Sequence, residues 1–139
     1  MLHPKRTKYR KYQKGKINGI KNNTNALQFG KYGMKALNCG RLSASTLEAV
    51  RRVLTRKCKR NGQIWMRVFP DSIVTQKSAE TRMGKGKGSP TYWVCKVKSG
   101  QVLFELDGIP FVVAKQAVLL ASYKIPFQTK FVINSTLYF

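Results

Sequence analysis

Acid is what this chain lacks. Against 27 Lys plus Arg it carries 5 Asp plus Glu, a formal net charge of +22 over 139 residues. Internal ion pairing cannot absorb that excess, so the isolated fold repels itself and calls for a polyanion, nucleic acid first and an anionic membrane second. Histidine is nearly as scarce. His3 is the single one, which leaves a nucleophile without a histidine base unless His3 serves from within a basic arm. The three cysteines (Cys39, Cys58 and Cys95) are odd in number and widely spaced, with no CxxC pair. That spacing argues against a disulfide framework, suits a reducing compartment and gives zinc no ligand set. No apolar run approaches the roughly 18 residues of a membrane span. No hydrophobic leader is expected either, since the basic stretch opens at Pro4. One domain with a real core is expected at this length, and two would be cramped.

What is there centres on Arg82-Met83-Gly84-Lys85-Gly86-Lys87-Gly88, followed by Ser89-Pro90. Three glycines alternating with two lysines form neither a stable helix nor a packed strand, because each glycine raises the cost of ordering the backbone. The expectation is an exposed cationic loop, spanning 78–90, whose backbone can approach a polyanion closely. It fails the nucleotide motifs it invites comparison with. The phosphate-binding loop needs Ser or Thr after its lysine, where this chain has Gly88. The dinucleotide fingerprint needs a third glycine at Ser89. No cofactor is expected.

The N-terminal 1–25 reads as a basic extension and linker. Lys5, Arg6, Lys8, Arg10, Lys11, Lys14 and Lys16 interleave with Tyr9 and Tyr12, and Asn18 to Asn25 is rich in Asn and Gly. With almost nothing aliphatic to bury, this arm is expected to be extended until it meets its partner. It is either a solubilising tail or a strand of charge that follows phosphates while its tyrosines stack.

Residues 26–139 read as a single RNA-binding domain. Leu27 to Leu37 suggests a kinked strand ended by Gly40. Leu47, Val50, Leu54 and Cys58 predict a helix capped by Ser43 or Ser45, the latter with Glu48 at capping-box spacing. Its other side carries Arg52, Arg56, Lys59 and Arg60, with Arg51 at the border, and Asn61-Gly62 stops it. A solvated basic face competes there with nucleic-acid contact, which the lack of acids beyond Glu48 favours. Gln63 to Phe69 alternates as a strand, with Ile73 to Gln76 as a short partner after the Pro70-Asp71 turn. Tyr92 to Lys98 and Val102 to Leu106 are expected to pair as a hairpin across Ser99-Gly100. A second helix should start at Pro110, with Ala114, Ala117 and Ala121 on its close-packing side, before a last strand from Phe127 to Ile133. Glu105 and Asp107 share a strand face; paired carboxylates can serve hydrolysis, but the favoured reading is a solvent-facing edge. No catalytic residue and no metal ligand is assigned.

Several blocks then carry a resemblance. Pro4-Lys5-Arg6-Thr7-Lys8-Tyr9-Arg10-Lys11, Gly40-Arg41-Leu42-Ser43, Ile64-Trp65-Met66-Arg67-Val68-Phe69-Pro70-Asp71 and Arg82 to Gly88 occur in order over nearly the whole chain. They closely resemble the bacterial-type large-subunit ribosomal proteins of the L-sixteen family, and Tyr92-Trp93-Val94 and Glu105-Leu106-Asp107-Gly108 fit as well. The resemblance implies an α+β fold, a compact antiparallel sheet packed with two helices, plus the basic arm and a protruding Gly/Lys loop. It implies a structural, non-enzymatic place on large-subunit rRNA near the peptidyl-transferase centre, where the family helps position A-site tRNA. Partners would be that rRNA, tRNA and neighbouring ribosomal proteins, not a second copy of the chain.

Carried onto this sequence, Lys5, Arg6, Lys8, Tyr9, Arg10 and Lys11 would hold rRNA, as would Arg51, Arg52, Arg56, Lys59 and Arg60. Arg82, Met83, Gly84, Lys85, Gly86, Lys87 and Gly88 would face tRNA and the catalytic centre. The chain departs from the family at Phe111 and Val112, where acids are usual, and in a longer, more apolar tail over 134–139. Its Lys, Asn, Ile and Tyr usage, with the Gly100–Gly108 stretch, leans to an organelle-encoded copy in the mitochondrial matrix; a plastid or the bacterial cytoplasm is the alternative. The competing function is a free-standing nucleic-acid-binding or RNA-chaperone protein, for which charge alone would suffice.

Overall fold

Ser43 starts the first helix. Its Oγ accepts the Thr46 amide at 3.1 Å, satisfying one of the orphan N–H groups of the first turn. The computed structural model describes residues 2–134. In chain order its elements are β1 (Tyr32–Ala36), β2 (Gly40–Ser43), α1 (Ala44–Lys57), β3 (Gln63–Met66), β4 (Ser72–Gln76), β5 (Ser89–Val97), β6 (Val102–Asp107), α2 (Phe111–Ser122) and β7 (Thr129–Ile133). The α+β class holds, with the strands divided between two antiparallel sheets, β3-β6-β1-β7 and β2-β5-β4.

The core forms where the first sheet meets the helices. Met34 lies opposite Phe104 on one side and Phe131 on the other, stacking three large side chains across β6, β1 and β7. Met34, Phe104 and Leu106 are fully buried with Leu47, Val50 and Leu54 of α1. Each such side chain contributes about 1.5–3 kcal/mol on leaving water. Ala114, Ala117 and Ala121 are also fully buried. This small face brings α2 against α1 as well as against β1 and β7.

Four expectations change. Tyr92–Lys98 and Val102–Leu106 are not a hairpin: β5 pairs with β2 and β4, while β6 pairs with β1 and β3. The reason is burial. Successive strand residues face opposite sides, and Leu103 and Glu105 are as buried as Val102 and Phe104, so β6 needs a central position. Ser99-Gly100 is therefore a passage between sheets, tied to the linker by the Lys21 amide on the Ser99 carbonyl at 2.9 Å. Second, β4 pairs with β5 and not β3, because the buried Pro70 carries the chain across. Third, Gly40 opens β2, where it presses on the Phe127 ring with no room for a Cβ. Fourth, there is no Ser45–Glu48 capping box; Ser45 lies inside α1, and Glu48 turns to Arg51 and Arg52. Of the apolar tail, 135–139 lies outside the described residues.

Candidate nucleic-acid interface

The β4–β5 pair closes at Gln76 opposite Ser89 and leaves 77–88 as the connection. Every residue from Lys77 to Lys87 is exposed, and Met83 is 98% so. Gly84, Lys85 and Gly86 follow one another at φ of 92°, 54° and 81°. Two glycines around one lysine make that left-handed run affordable. Gly88 serves differently. A Cβ there would sit 2.6 Å from the Gln76 carbonyl group, so the loop's base closes only with glycine. Lys77 donates its Nζ to the Gly84 carbonyl and bridges the loop internally. The β4–β5 pair thus holds the loop's ends.

The arm adopts neither helix nor strand over residues 2–19. It lies across the loop. Lys11 Nζ donates to the Lys87 carbonyl at 2.7 Å, and Lys87 Nζ donates to the Tyr12 carbonyl. Arg41 of β2 fixes the next residues by donating to the Gly15 carbonyl at 3.0 Å and the Lys14 carbonyl at 3.3 Å. Lys5, Arg6, Lys8, Tyr9 and Arg10 remain exposed. Arm and loop, separate in sequence, form one continuous basic surface, and no spacing rule signals a contact between residues 76 apart.

Arg51, Arg52, Thr55 and Arg56 of α1 line a shallow groove of about 240 Å³ with Arg60, just past the end of the helix. Arg51 donates to both Glu48 oxygens, at 2.8 and 2.7 Å, and Arg52 donates to one at 3.0 Å. The two guanidinium groups, Arg51 foremost, hold the Glu48 carboxyl at about 2. One acid is therefore shared by two of the basic residues assigned to this face. Lys59 and Arg60 turn the chain at the end of α1 with φ of 52° and 64°. A larger cleft of about 510 Å³ gathers Lys16, Lys21, Arg67, Lys96 and Lys98 around a single acid, Asp71. Sequence reading missed it because its residues come from the linker, from β4 and β5, and from the connections on either side of them.

Glu105 corrects a sequence expectation outright. It is fully buried, not a solvent-facing edge. Its carboxylate accepts the amides of Gln28, Phe29 and Gly30 at 3.1, 2.7 and 2.9 Å, and the Arg67 Nη1. Burial pushes its pKa up, but the Gly30 and Phe29 amides and the Arg67 guanidinium outweigh this and hold it below the ordinary value. Asp107 faces elsewhere and accepts the Gly108 amide at 2.8 Å in the turn before α2. Glu105 in the middle of β6, and Arg67 within the strand expected from Gln63 to Phe69, were the available signal, since an unpaired buried charge is costly. Burial also pushes the Cys95 thiol up to about 11. Among the described residues, no helix is long and apolar enough to cross a membrane.

The family described as "Ribosomal protein L16p/L10e" matches residues 4–132. The chain is 57% identical to the large ribosomal subunit protein uL16m of Prototheca wickerhamii, over 97% of this chain and 100% of that protein. It is 52% identical to uL16 of Azorhizobium caulinodans, covering 95% and 96%. With uL16c of Cyanidium caldarium the identity is 51%, covering 96% of each. The loop between β4 and β5, the arm crossing it and the two-sheet core all fall within the matched span, and the chain belongs to the Ribosomal protein L16p/L10e family.

Proposed function

We propose that this protein is a structural component of a large ribosomal subunit. In this role it binds rRNA and helps position A-site tRNA near the peptidyl-transferase centre. The observation that carries the reading is its end-to-end likeness to relatives named as large ribosomal subunit proteins. The surface is suited to the task. Residues 1–25 would follow rRNA phosphates through Lys5, Arg6, Lys8, Arg10 and Lys11, with Tyr9 stacking. The α1 groove and Lys59 would hold a second rRNA segment. The loop from Arg82 to Gly88 would reach tRNA, since glycines and lysines read backbone and shape better than base edges. The chain acts as a single copy among neighbouring ribosomal proteins, with no enzymatic step of its own. The mitochondrial relative at 57% identity, against 51% and 52% for the plastid and bacterial ones, supports a place in the mitochondrial ribosome.

Sedimentation in high salt tests the role. Stoichiometric migration with large subunits is expected, whereas a diffuse spread over nucleic acid would favour a free RNA chaperone and overturn the proposal. A crosslinker at position 85 should capture tRNA or rRNA of the catalytic centre; capture of neither would remove the loop from that role.

A further inference from the structure

The buried Glu105 does more than fill a strand. Its carboxylate gathers three successive backbone amides, of Gln28, Phe29 and Gly30, onto the face of β6. Gly30 lies so close that a Cβ would meet the Leu106 carbonyl oxygen at 2.5 Å. The backbone of this segment is therefore fixed, yet Phe29 stays 57% exposed. That ring stacks on Trp65 with centroids 6.0 Å apart and planes inclined by 23°. The Arg67 guanidinium carbon lies 5.0 Å from its centroid. Trp65 sits on β3, an outer strand of its sheet.

Leaving a phenyl ring half in water forfeits much of the gain from burying it, and burying a carboxylate carries a desolvation cost. A fold that does both at one place holds an aromatic face ready for a ligand, with little further ordering needed on binding. The charge pattern says which part of a nucleic acid would meet it. Arg67 donates Nη1 to Glu105 and Nη2 to Gln28 Oε1 at 2.9 Å, so its fork is already engaged and is not offered to phosphate. Trp65 is stacked on the ring and Arg67 lies over it, and the exposed part of Phe29 is the aromatic surface left for a ligand, with a cation against it.

We propose that Phe29, stacked on Trp65 and held by Glu105 through the 28–30 backbone, is a platform for one unpaired nucleobase of RNA. The proposal rests on the RNA-binding reading above. Bases inside a duplex are already stacked, so the ligand is a single-stranded or extruded nucleotide.

The test uses the full chain carrying Trp93→Phe, which leaves Trp65 as the sole indole, and two probes. One is a short single-stranded oligoadenylate, the other an abasic ribose-phosphate strand of equal length. Oligoadenylate should quench Trp65 emission and the abasic strand should not. Phe29→Leu keeps an apolar side chain but removes the π face. It should weaken oligoadenylate binding by about 5- to 150-fold, leave abasic binding unchanged and leave the salt slope unchanged. Phe29→Trp should restore affinity. An unchanged oligoadenylate-to-abasic affinity ratio in Phe29→Leu, with wild-type melting, overturns the platform alone. Should neither strand bind the parent chain in low salt, the RNA-binding reading fails and the platform with it.

Discussion

Replacing Glu105 with Ala removes one acceptor from four donors at once. Hydrogen bonds to a charged group contribute about 1.5–3 kcal/mol each, and adding four would overshoot, because the donors differ in exposure. Gln28 and Phe29 are exposed residues whose amides rehydrate once the segment lifts. Gly30 is buried, and the Arg67 side chain is only 11% exposed, so these two are left without a partner away from water. Breaking a buried ion pair from one side costs about 3–5 kcal/mol, a large part of the roughly 5–15 kcal/mol that holds a domain together. At about 4 °C per kcal/mol for a chain of this size, Glu105→Ala should melt about 12–20 °C below wild type at neutral pH. Asp107→Ala, which loses one turn contact, should shift far less. Acid adds an independent reading. The folded-state pKa of Glu105 lies below its ordinary 4.5, so its contribution is full above that pH and is lost as pH falls through the lower folded value. The wild type should lose stability in that window and Glu105→Ala should lose less, keeping the part that Glu48 supplies. Far-UV circular dichroism melts decide the matter: a shift under about 4 °C, or equal shifts for the two variants, refutes the role assigned to this carboxylate.

Ser43→Ala should cost about 1 kcal/mol, whereas Ser45→Ala, inside α1, should stay within about 0.5 kcal/mol; urea titration of both shows which serine caps the helix. Gly88→Ala should destabilise the loop base by about 1–3 kcal/mol, because the colliding Gln76 atoms are backbone and cannot swing aside. A wild-type urea midpoint would contradict that. Lys85→Glu combined with Lys87→Glu should leave incorporation into subunits largely intact and slow tRNA accommodation, so normal elongation rates would refute the loop's role. Since Lys87 also bonds the Tyr12 carbonyl, Lys85→Glu alone separates tRNA contact from release of the arm. If roughly 6–10 phosphates are neutralised, affinity for RNA should fall about 10³–10⁵-fold between 50 and 200 mM salt, and a salt-insensitive association would contradict it.

The elements with strong local signals were legible in the sequence. The stripe Leu47, Val50, Leu54 and Cys58 locates α1, and the alanines of α2 mark its buried side. Strand existence was legible too, but partner choice was not. Ser99-Gly100 looks the same whether it joins hairpin strands or carries the chain from one sheet to the next. What decides is that β6 must bury both of its faces. That is a property of the assembled core and not of the six residues themselves.

The candidate site divides along the same line. Counting lysines and arginines finds the arm, the loop and the α1 face, because surplus charge is a compositional fact. Counting cannot tell which cations are already engaged. Glu48 occupies Arg51 and Arg52, Glu105 occupies Arg67, and Lys11, Lys77 and Lys87 bond backbone carbonyls. The engaged groups shape the surface and the others supply its field. A carboxylate judged by its neighbours in sequence looks like an edge residue. Judged by the three amides and one guanidinium it collects, Glu105 is the internal anion that lets a strongly basic chain hold an aromatic face still. Local sequence conceals it because its partners lie 38 to 77 residues away. A buried acid in so cationic a protein is the place where long-range structure, not composition, determines what the surface can recognise.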